Sequence, residues 1–251
     1  MRRRSVGVRQ ADEFFGKDLE AALSVDPALA IRVLEPLVTE RRRARLRRIV
    51  DERLDSVTVL MDAPHDPHNG GAVVRSCDAF GVQRLHVVER CESFLVASTV
   101  ARGTEQWVDV HRYRSAGDVL EKLQERGHEL VATDPQGDLC PADLRTIARP
   151  ALVIGNERQG IAADLRAHCS HTVRVPMRGF VDSLNLSVCA AILLAAAVAG
   201  RAGDLSESER ARLYARGLLL TVPRAGAELL CAFRRRALAR EEEQVPATRD
   251  S

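Results

Sequence analysis

Three short segments set polar side chains among glycine and proline in patterns that can do chemistry. The first runs His65-Asp66-Pro67-His68-Asn69-Gly70-Gly71 and continues through Arg75 to Gly81. A β-rich apolar run at residues 57–61 leads into it, and Pro64 and Pro67 force a loop. Asn69 is then placed to cap a helix that runs through Phe80 and ends at Gly81. Such a helix start offers unpaired N–H groups and partial positive charge, which suits an anion. Arg75 follows roughly one and a half turns later. An ordinary capped helix with one surface arginine fits the same pattern.

The second segment is Val153-Ile154-Gly155-Asn156-Glu157-Arg158-Gln159-Gly160-Ile161. No Lys-Ser/Thr follows its second glycine, so it is no phosphate-cradling P-loop. It lacks G-x-G-x-x-G, so it is no dinucleotide fingerprint. It reads as a tight loop at the carboxyl end of a strand, where open α/β sheets hold ligands, or as a plain strand-to-helix turn. The third segment runs from Val175-Pro176-Met177 through Gly179 to Ser183-Leu184-Asn185-Leu186-Ser187. Ser183 can cap the apolar helix that follows. Asn185 and Ser187 need partners if buried. Capping and core hydrogen bonding account for Ser187 readily and for Asn185 less readily.

The elements around these segments alternate. Residues 1–54 read as helical, with candidates at 12–23, 27–38 and 40–54. Thr39 can cap the last of these, and six arginines lie on its outer face. Short strands are expected near 57–61, 85–88, 108–111, 130–133, 151–154 and 173–175. Helices are expected at 69–80, 116–126, 162–167 and 183–199. This alternation predicts an α/β fold with a mostly parallel sheet covered on both faces. Residues 205–220 return to helix, Pro223 starts another, and the tail is polar.

The composition narrows the functional classes. With 45% hydrophobic and 29% charged residues in a chain of 251, a packed core is expected. The net charge is only +2, yet 35 of the 37 basic residues are arginine, clustered at positions 2–4, 41–48 and 234–236. Arginine suits bidentate phosphate contact, although a GC-rich genome gives the same bias. The start of the chain carries no apolar run of the secretory kind. The longest uncharged stretch, residues 183–200, reads as a buried helix rather than a membrane span. Six scattered cysteines with no C-x-x-C pair fit neither a zinc site nor a disulfide framework, and most read as core residues in a reducing cytoplasm. One Trp, two Tyr and six Phe make base stacking an unlikely main mode of RNA binding.

Taken in order, the three segments resemble motifs one to three of the SpoU (TrmH-type) RNA ribose 2′-O-methyltransferases. The matching residues are Pro67-His68-Asn69 with Arg75, Gly155-Asn156-Glu157 with Gly160, and Pro176-Met177 with Gly179, Ser183-Leu184-Asn185 and Ser187. The resemblance covers about residues 41–200. It is greatest to the branch that acts on guanosine 18 of tRNA, through the Pro-His-Asn loop, Trp107 after Gly103-Thr104 and the Arg-rich helix. Asp66 departs from that branch, which carries lysine there, and Arg158 replaces another lysine.

The resemblance implies a C-terminal deep trefoil knot, a homodimer, and S-adenosyl-L-methionine as cofactor, with no metal and no membrane. It implies methylation of a ribose 2′-hydroxyl in tRNA, with rRNA, or an inert RNA-binding module, as alternatives. Arg75 would be the key catalytic residue, with Asn69, Glu157, Ser183 and Asn185 completing the site. Thr133, Gly155, Asn156, Gly160, Val175, Met177 and Leu184 would border the cofactor. Arg41, Arg42, Arg45, Arg48, His68 and Arg158 are candidate RNA contacts. The expected organisation is an N-terminal helical extension at 1–38, an Arg-rich RNA-binding arm at 39–55, the methyltransferase domain at 56–200 and a C-terminal helical arm and tail at 201–251.

Overall fold

The computed structural model describes residues 27–90, 93–94, 97–223, 228 and 231. The helix expected at 12–23, the one begun by Pro223 and the arginine clusters at both ends lie outside these residues or at their edge. The described residues form two compact units, and helices from both ends of the chain share one of them.

In that helical unit, α1 (Pro27–Leu34) runs into a single 3-10 turn, Glu35–Leu37, followed by α2 (Glu40–Asp51). Both pack against a third helix, α8 (Glu207–Thr221). Ser206 starts α8 with a reciprocal cap. Its Oγ accepts from the Glu209 N–H at 3.3 Å, while the Glu209 carboxylate accepts from the Ser206 N–H at 3.0 Å. Leu34, Leu46, Val50, Leu213 and Leu218 are buried. The helix expected over 40–54 stops at Asp51, and Leu54 opens a strand instead. The terminal arms expected as separate segments thus contribute to one body.

Residues Glu52–Leu205 form the second unit, a wholly parallel six-stranded sheet. Its strands are β1 (Leu54–Asp62), β2 (Val82–Val88), β3 (Asp109–Tyr113), β4 (Glu129–Thr133), β5 (Pro150–Ile154) and β6 (His171–Val173), in the spatial order β3-β2-β1-β5-β4-β6. The last strand ends two residues before the expected 173–175 run does. The unit extends slightly beyond the expected 56–200: Asp204 accepts from the backbone N–H of Ser56 and donates its own to the Arg53 carbonyl.

Alternation along the strands builds two cores. Val57, Val59 and Met61 of β1 face α3 (Pro67–Ala79) and α7 (Leu186–Val198), which supply Val73, Val74, Cys77, Leu193 and Leu194. Leu60 faces the opposite way, toward Val119 and Leu123 of α5 (Ala116–Glu125) and Leu165 of α6 (Ala163–Arg166). A one-turn helix, α4 (Ser98–Ala101), packs on α3. Among the described residues no helix is long and apolar enough to cross a membrane; the apolar stretch at 183–200 forms α7 and packs on α3 and β5. Arg53 is 1% exposed, and its guanidinium donates to the Asp78 carboxylate at 2.6 Å, fastening the end of α3 to the start of β1.

A polar layer interrupts the core beneath α5. His86 is 1% exposed, hydrogen bonded through Nδ1 to the Tyr113 hydroxyl at 3.0 Å, and stacked on His111 with centroids 5.3 Å apart. Burial, reinforced by the positive field of His111, His128, Arg84 and Arg126, pushes its pKa down to about 3. His128 is lowered to about 4, again mainly by burial. Both rings are therefore neutral in the folded chain at pH 7. Each contributes stability in full above the ordinary histidine value of 6.5 and loses it as pH falls toward its folded value. Urea unfolding between pH 6.5 and 4 checks this. Stability is expected to fall by about 1 kcal/mol per pH unit for each histidine. His86→Phe should flatten that slope, and an unchanged slope would show that His86 does not carry it.

Candidate functional site

A parallel sheet brings all its strand carboxyl ends to one edge. The chain leaves β1 outward through β2 and β3, then resumes on the other side with β4, β5 and β6. The reversal falls between β1 and β5, the place where open α/β sheets leave a crevice for ligands. The loops that follow these two strands are the first and second motif segments.

The first segment starts a helix earlier than its asparagine suggests. Asp66 is the N-cap of α3, its carboxylate accepting from the His68 N–H at 2.8 Å, and Pro67 takes the first helical position. The sequence-level assignment of the cap to Asn69 is therefore corrected. Asn69 lies within the first turn, 7% exposed, and its amide reaches across the edge. Its Nδ2 donates to Glu157 Oε1 at 2.7 Å, and its Oδ1 accepts from Asn185 Nδ2 at 3.0 Å.

Asn185, not Ser183, caps α7. Its Oδ1 accepts from the Ser187 N–H at 2.9 Å, the Ser187 hydroxyl at 2.6 Å and the Val188 N–H at 3.4 Å. The helix begins at Leu186 rather than 183, and Ser183 is exposed ahead of the cap. Because the helix end claims the Asn185 oxygen, its NH2 must face Asn69. The Asn69 oxygen is then engaged, so its own NH2 must face Glu157. Residues from all three motifs thus form one directed chain of hydrogen bonds.

The 155–160 loop is folded tightly back on itself. Asn156 and Gly160 exchange two backbone hydrogen bonds, both 3.1 Å, and Asn156 Oδ1 accepts from the N–H groups of Arg158 and Gln159 at 3.0 and 2.7 Å. The Asn156 side chain therefore shapes the loop. A Cβ on Gly155 would lie 2.1 Å from the Gly160 carbonyl carbon, so no other residue fits there. Gly160 has φ +70°, the left-handed conformation that lets the turn close.

Arg75 is exposed on α3, with Nη1 3.5 Å from the Val100 carbonyl, and makes no hydrogen bond to the Asn185–Asn69–Glu157 chain. Thr133, Val175, Met177 and Leu184 are half-buried residues at the ends of β4 and β6 and ahead of α7. Beside Thr133, Arg166 holds the Asp134 carboxyl below the usual carboxylate range. Of the RNA candidates, Arg41, Arg45 and Arg48 are exposed at i, i+4 and i+7 on α2, a single face. Arg42 differs: it is half-buried, and its Nε donates to Thr221 Oγ1 at 3.3 Å, which ties it to α8. His68 and Arg158 are exposed. Among the described residues no group of three His, Cys, Asp or Glu side chains is arranged to hold a metal.

Residues 56–195 match the profile of the SpoU rRNA Methylase family. The tRNA (guanosine(18)-2′-O)-methyltransferase of Escherichia coli is 33% identical over 156 residues, covering 61% of this chain and 67% of that protein. The protein of the same name from Thermus thermophilus is 33% identical over 159 residues, covering 62% and 81%. The A. aeolicus TrmH/SpoU tRNA modifying enzyme superposes with a TM-score of 0.65 at 27% identity, covering 73% of this chain and 98% of that one. The SpoU methyltransferase AviRb from Streptomyces viridochromogenes, solved in complex with AdoMet, gives a TM-score of 0.53 at 31% identity, covering 59% and 60%.

The two functions of Asn185 can be separated. Asn185→Ala removes the cap and is expected to cost about 1 kcal/mol of stability. Asn185→Asp keeps an acceptor for the helix end and should melt above the alanine variant, while removing the donor to Asn69. Calorimetric melting of both variants checks this, and an alanine variant as stable as wild type would show that the cap does not matter.

Proposed function

Because the chain belongs to the SpoU rRNA Methylase family, we propose that it transfers a methyl group from S-adenosylmethionine to a ribose 2′-hydroxyl of tRNA, at guanosine 18 of the D-loop. The observation that carries this reading is the Asn185–Asn69–Glu157 chain, which draws one residue from each of the three motifs. The names of the Escherichia coli and Thermus thermophilus relatives support tRNA as substrate. The AdoMet complex of AviRb supports the cofactor.

The residues fit that cofactor. β5, β4 and β6 are adjacent, and their ends present Gly155, Thr133 and the segment leading to Val175 and Met177. Glycine and short side chains leave backbone N–H and C=O groups to read a flat heterocycle. Gly155, Asn156, Gly160 and Leu184 complete the expected border, Asn156 and Gly160 by shaping the loop. When bound, S-adenosylmethionine supplies a methyl group already activated on a sulfonium.

The protein's task is alignment. A guanidinium is a cation at neutral pH, so Arg75 acts by holding an anion rather than as a base. Its planar fork grips a phosphate next to the target ribose and so holds the 2′-hydroxyl in line, and the proton leaves to phosphate or water. Asn69, Glu157, Ser183 and Asn185 complete the site by hydrogen bonding, with Asn69 and Glu157 fixed by the chain from α7. The exposed face of Arg41, Arg45 and Arg48, with His68 and Arg158, contributes phosphate contacts that carry affinity without sequence information.

The same reading makes the protein a cytoplasmic homodimer with the family's deep trefoil knot. Phe180, Val181, and Val188 and Ile192 on one face of α7 are exposed apolar side chains, which supports a second copy covering them. The knot is supported by the return of the chain from edge strand β6 to α7, which packs over β5 and α3. An rRNA substrate is the second reading. Asp66 favours it, as an anion stands where a phosphate-seeking lysine would strengthen tRNA binding.

Purified protein incubated with S-adenosylmethionine and total RNA is expected to place a 2′-O-methyl group at guanosine 18 of tRNA, read by nucleotide-resolution mapping. Methylation confined to rRNA would support the second reading, and none at all an inert RNA-binding module. Arg75→Lys should lower turnover about a hundredfold, because a point charge cannot replace the fork. Near-full turnover of that variant would refute the role of Arg75.

A further inference from the structure

A second network crosses the same edge using residues that lie in none of the three motifs. Asp62 ends β1 with a fully buried side chain whose two oxygens are both used. Its Oδ1 accepts from Arg90 Nε at 2.7 Å, and its Oδ2 accepts from the backbone N–H of Ala162 at 2.8 Å. Arg90, just beyond β2, turns its other two nitrogens on Asp164 at 2.9 and 2.6 Å, a bidentate pair. Asp164 Oδ1 also accepts from the Leu165 N–H at 2.9 Å. One guanidinium therefore joins the end of β1 to the first turn of α6.

The position of this clamp decides what it does. β1 and β2 are already held by their ladders. The segment at 161–164 has no strand partner, and it is the exit of the 155–160 loop. That loop is anchored at its entrance by β5 and closed by the Asn156–Gly160 pair. Its remaining freedom is to swing at the exit, and swinging would carry Glu157 away from Asn69. The Ala162 N–H and the Asp164 carboxylate are the points at which Asp62 and Arg90 stop that motion.

We propose that Arg90 is a positioning residue for methyl transfer: by bridging Asp62 and Asp164 it fixes the exit of the 155–160 loop, and through it the place of Glu157 and of the Gly155 backbone. This rests on the reading of that loop as part of the S-adenosylmethionine site. Arg90→Lys keeps the charge and loses the fork.

The test is calorimetric titration of the full chain with S-adenosylmethionine and a single-turnover rate on tRNA, each done in wild type, Arg90→Lys, Glu157→Gln and the double variant. Arg90→Lys is expected to weaken cofactor binding and slow the single turnover, each about tenfold. The loss of rate should shrink in the Glu157→Gln background, since the two act through one loop. Unchanged binding and rate in folded Arg90→Lys, or a loss of the same size in both backgrounds, would overturn the proposal and leave a purely structural ion pair. Should Arg90→Lys fail to fold, Asp164→Asn, on a half-exposed side chain, is read the same way. Wild-type protein that takes up no S-adenosylmethionine overturns the reading of the site, and this proposal with it.

Discussion

A primary amide has one acceptor end and one donor end, and at Asn185 the amino end of α7 takes the acceptor. The rest of the site follows from that choice. The donor end faces Asn69, whose amide is thereby oriented, and whose donor end then requires an acceptor where Glu157 stands. Two neutral side chains with no intrinsic preference of direction acquire one from the peptide dipoles of a helix. The Glu157 carboxylate is thus met by an oriented amide N–H rather than by a countercharge.

The sheet makes this geometry possible, and the sheet was largely legible in the sequence. Runs such as residues 57–61 and 151–154 are apolar and β-branched because both faces of a parallel strand are covered, and they lie within strands of the structure. What local pattern could not distinguish was which of two capping residues caps. Asp66 and Asn69 both suit a helix start, as do Ser183 and Asn185. In each pair one residue caps α3 or α7, and Asn69 and Asn185 meet across residues far apart in the chain. The motif resemblance drew attention to the right asparagines, but their orientation depends on contacts no window of sequence contains. The clamp of Asp62, Arg90 and Asp164 left no local trace, because each is an ordinary charged residue until the strands align.

The arginines divide in a way that composition concealed. Arg53 is buried and holds the end of α3. Arg47 lies 5.4 Å over the Tyr214 ring and pairs with Glu35, and Arg43 pairs with Glu40. Arg201 donates to the carbonyls of Ala197, Ala148 and Ile147, closing the end of α7. These guanidinium groups serve the fold, joining helix ends and carbonyls that a shorter cation could not bridge. Only part of the positive charge, including the face of Arg41, Arg45 and Arg48, is presented outward. A net charge near zero is compatible with a localised basic surface because so many charges are matched internally.

The links of the hydrogen-bond chain span 116 residues between Asn69 and Asn185 and 88 between Asn69 and Glu157. Contacts of that separation are costly to close from a disordered chain and are won late in folding. During synthesis from the ribosome, α3 emerges long before α7 exists to orient it. The geometry that would act on substrate therefore comes into being only when the last layer of the sheet unit has docked.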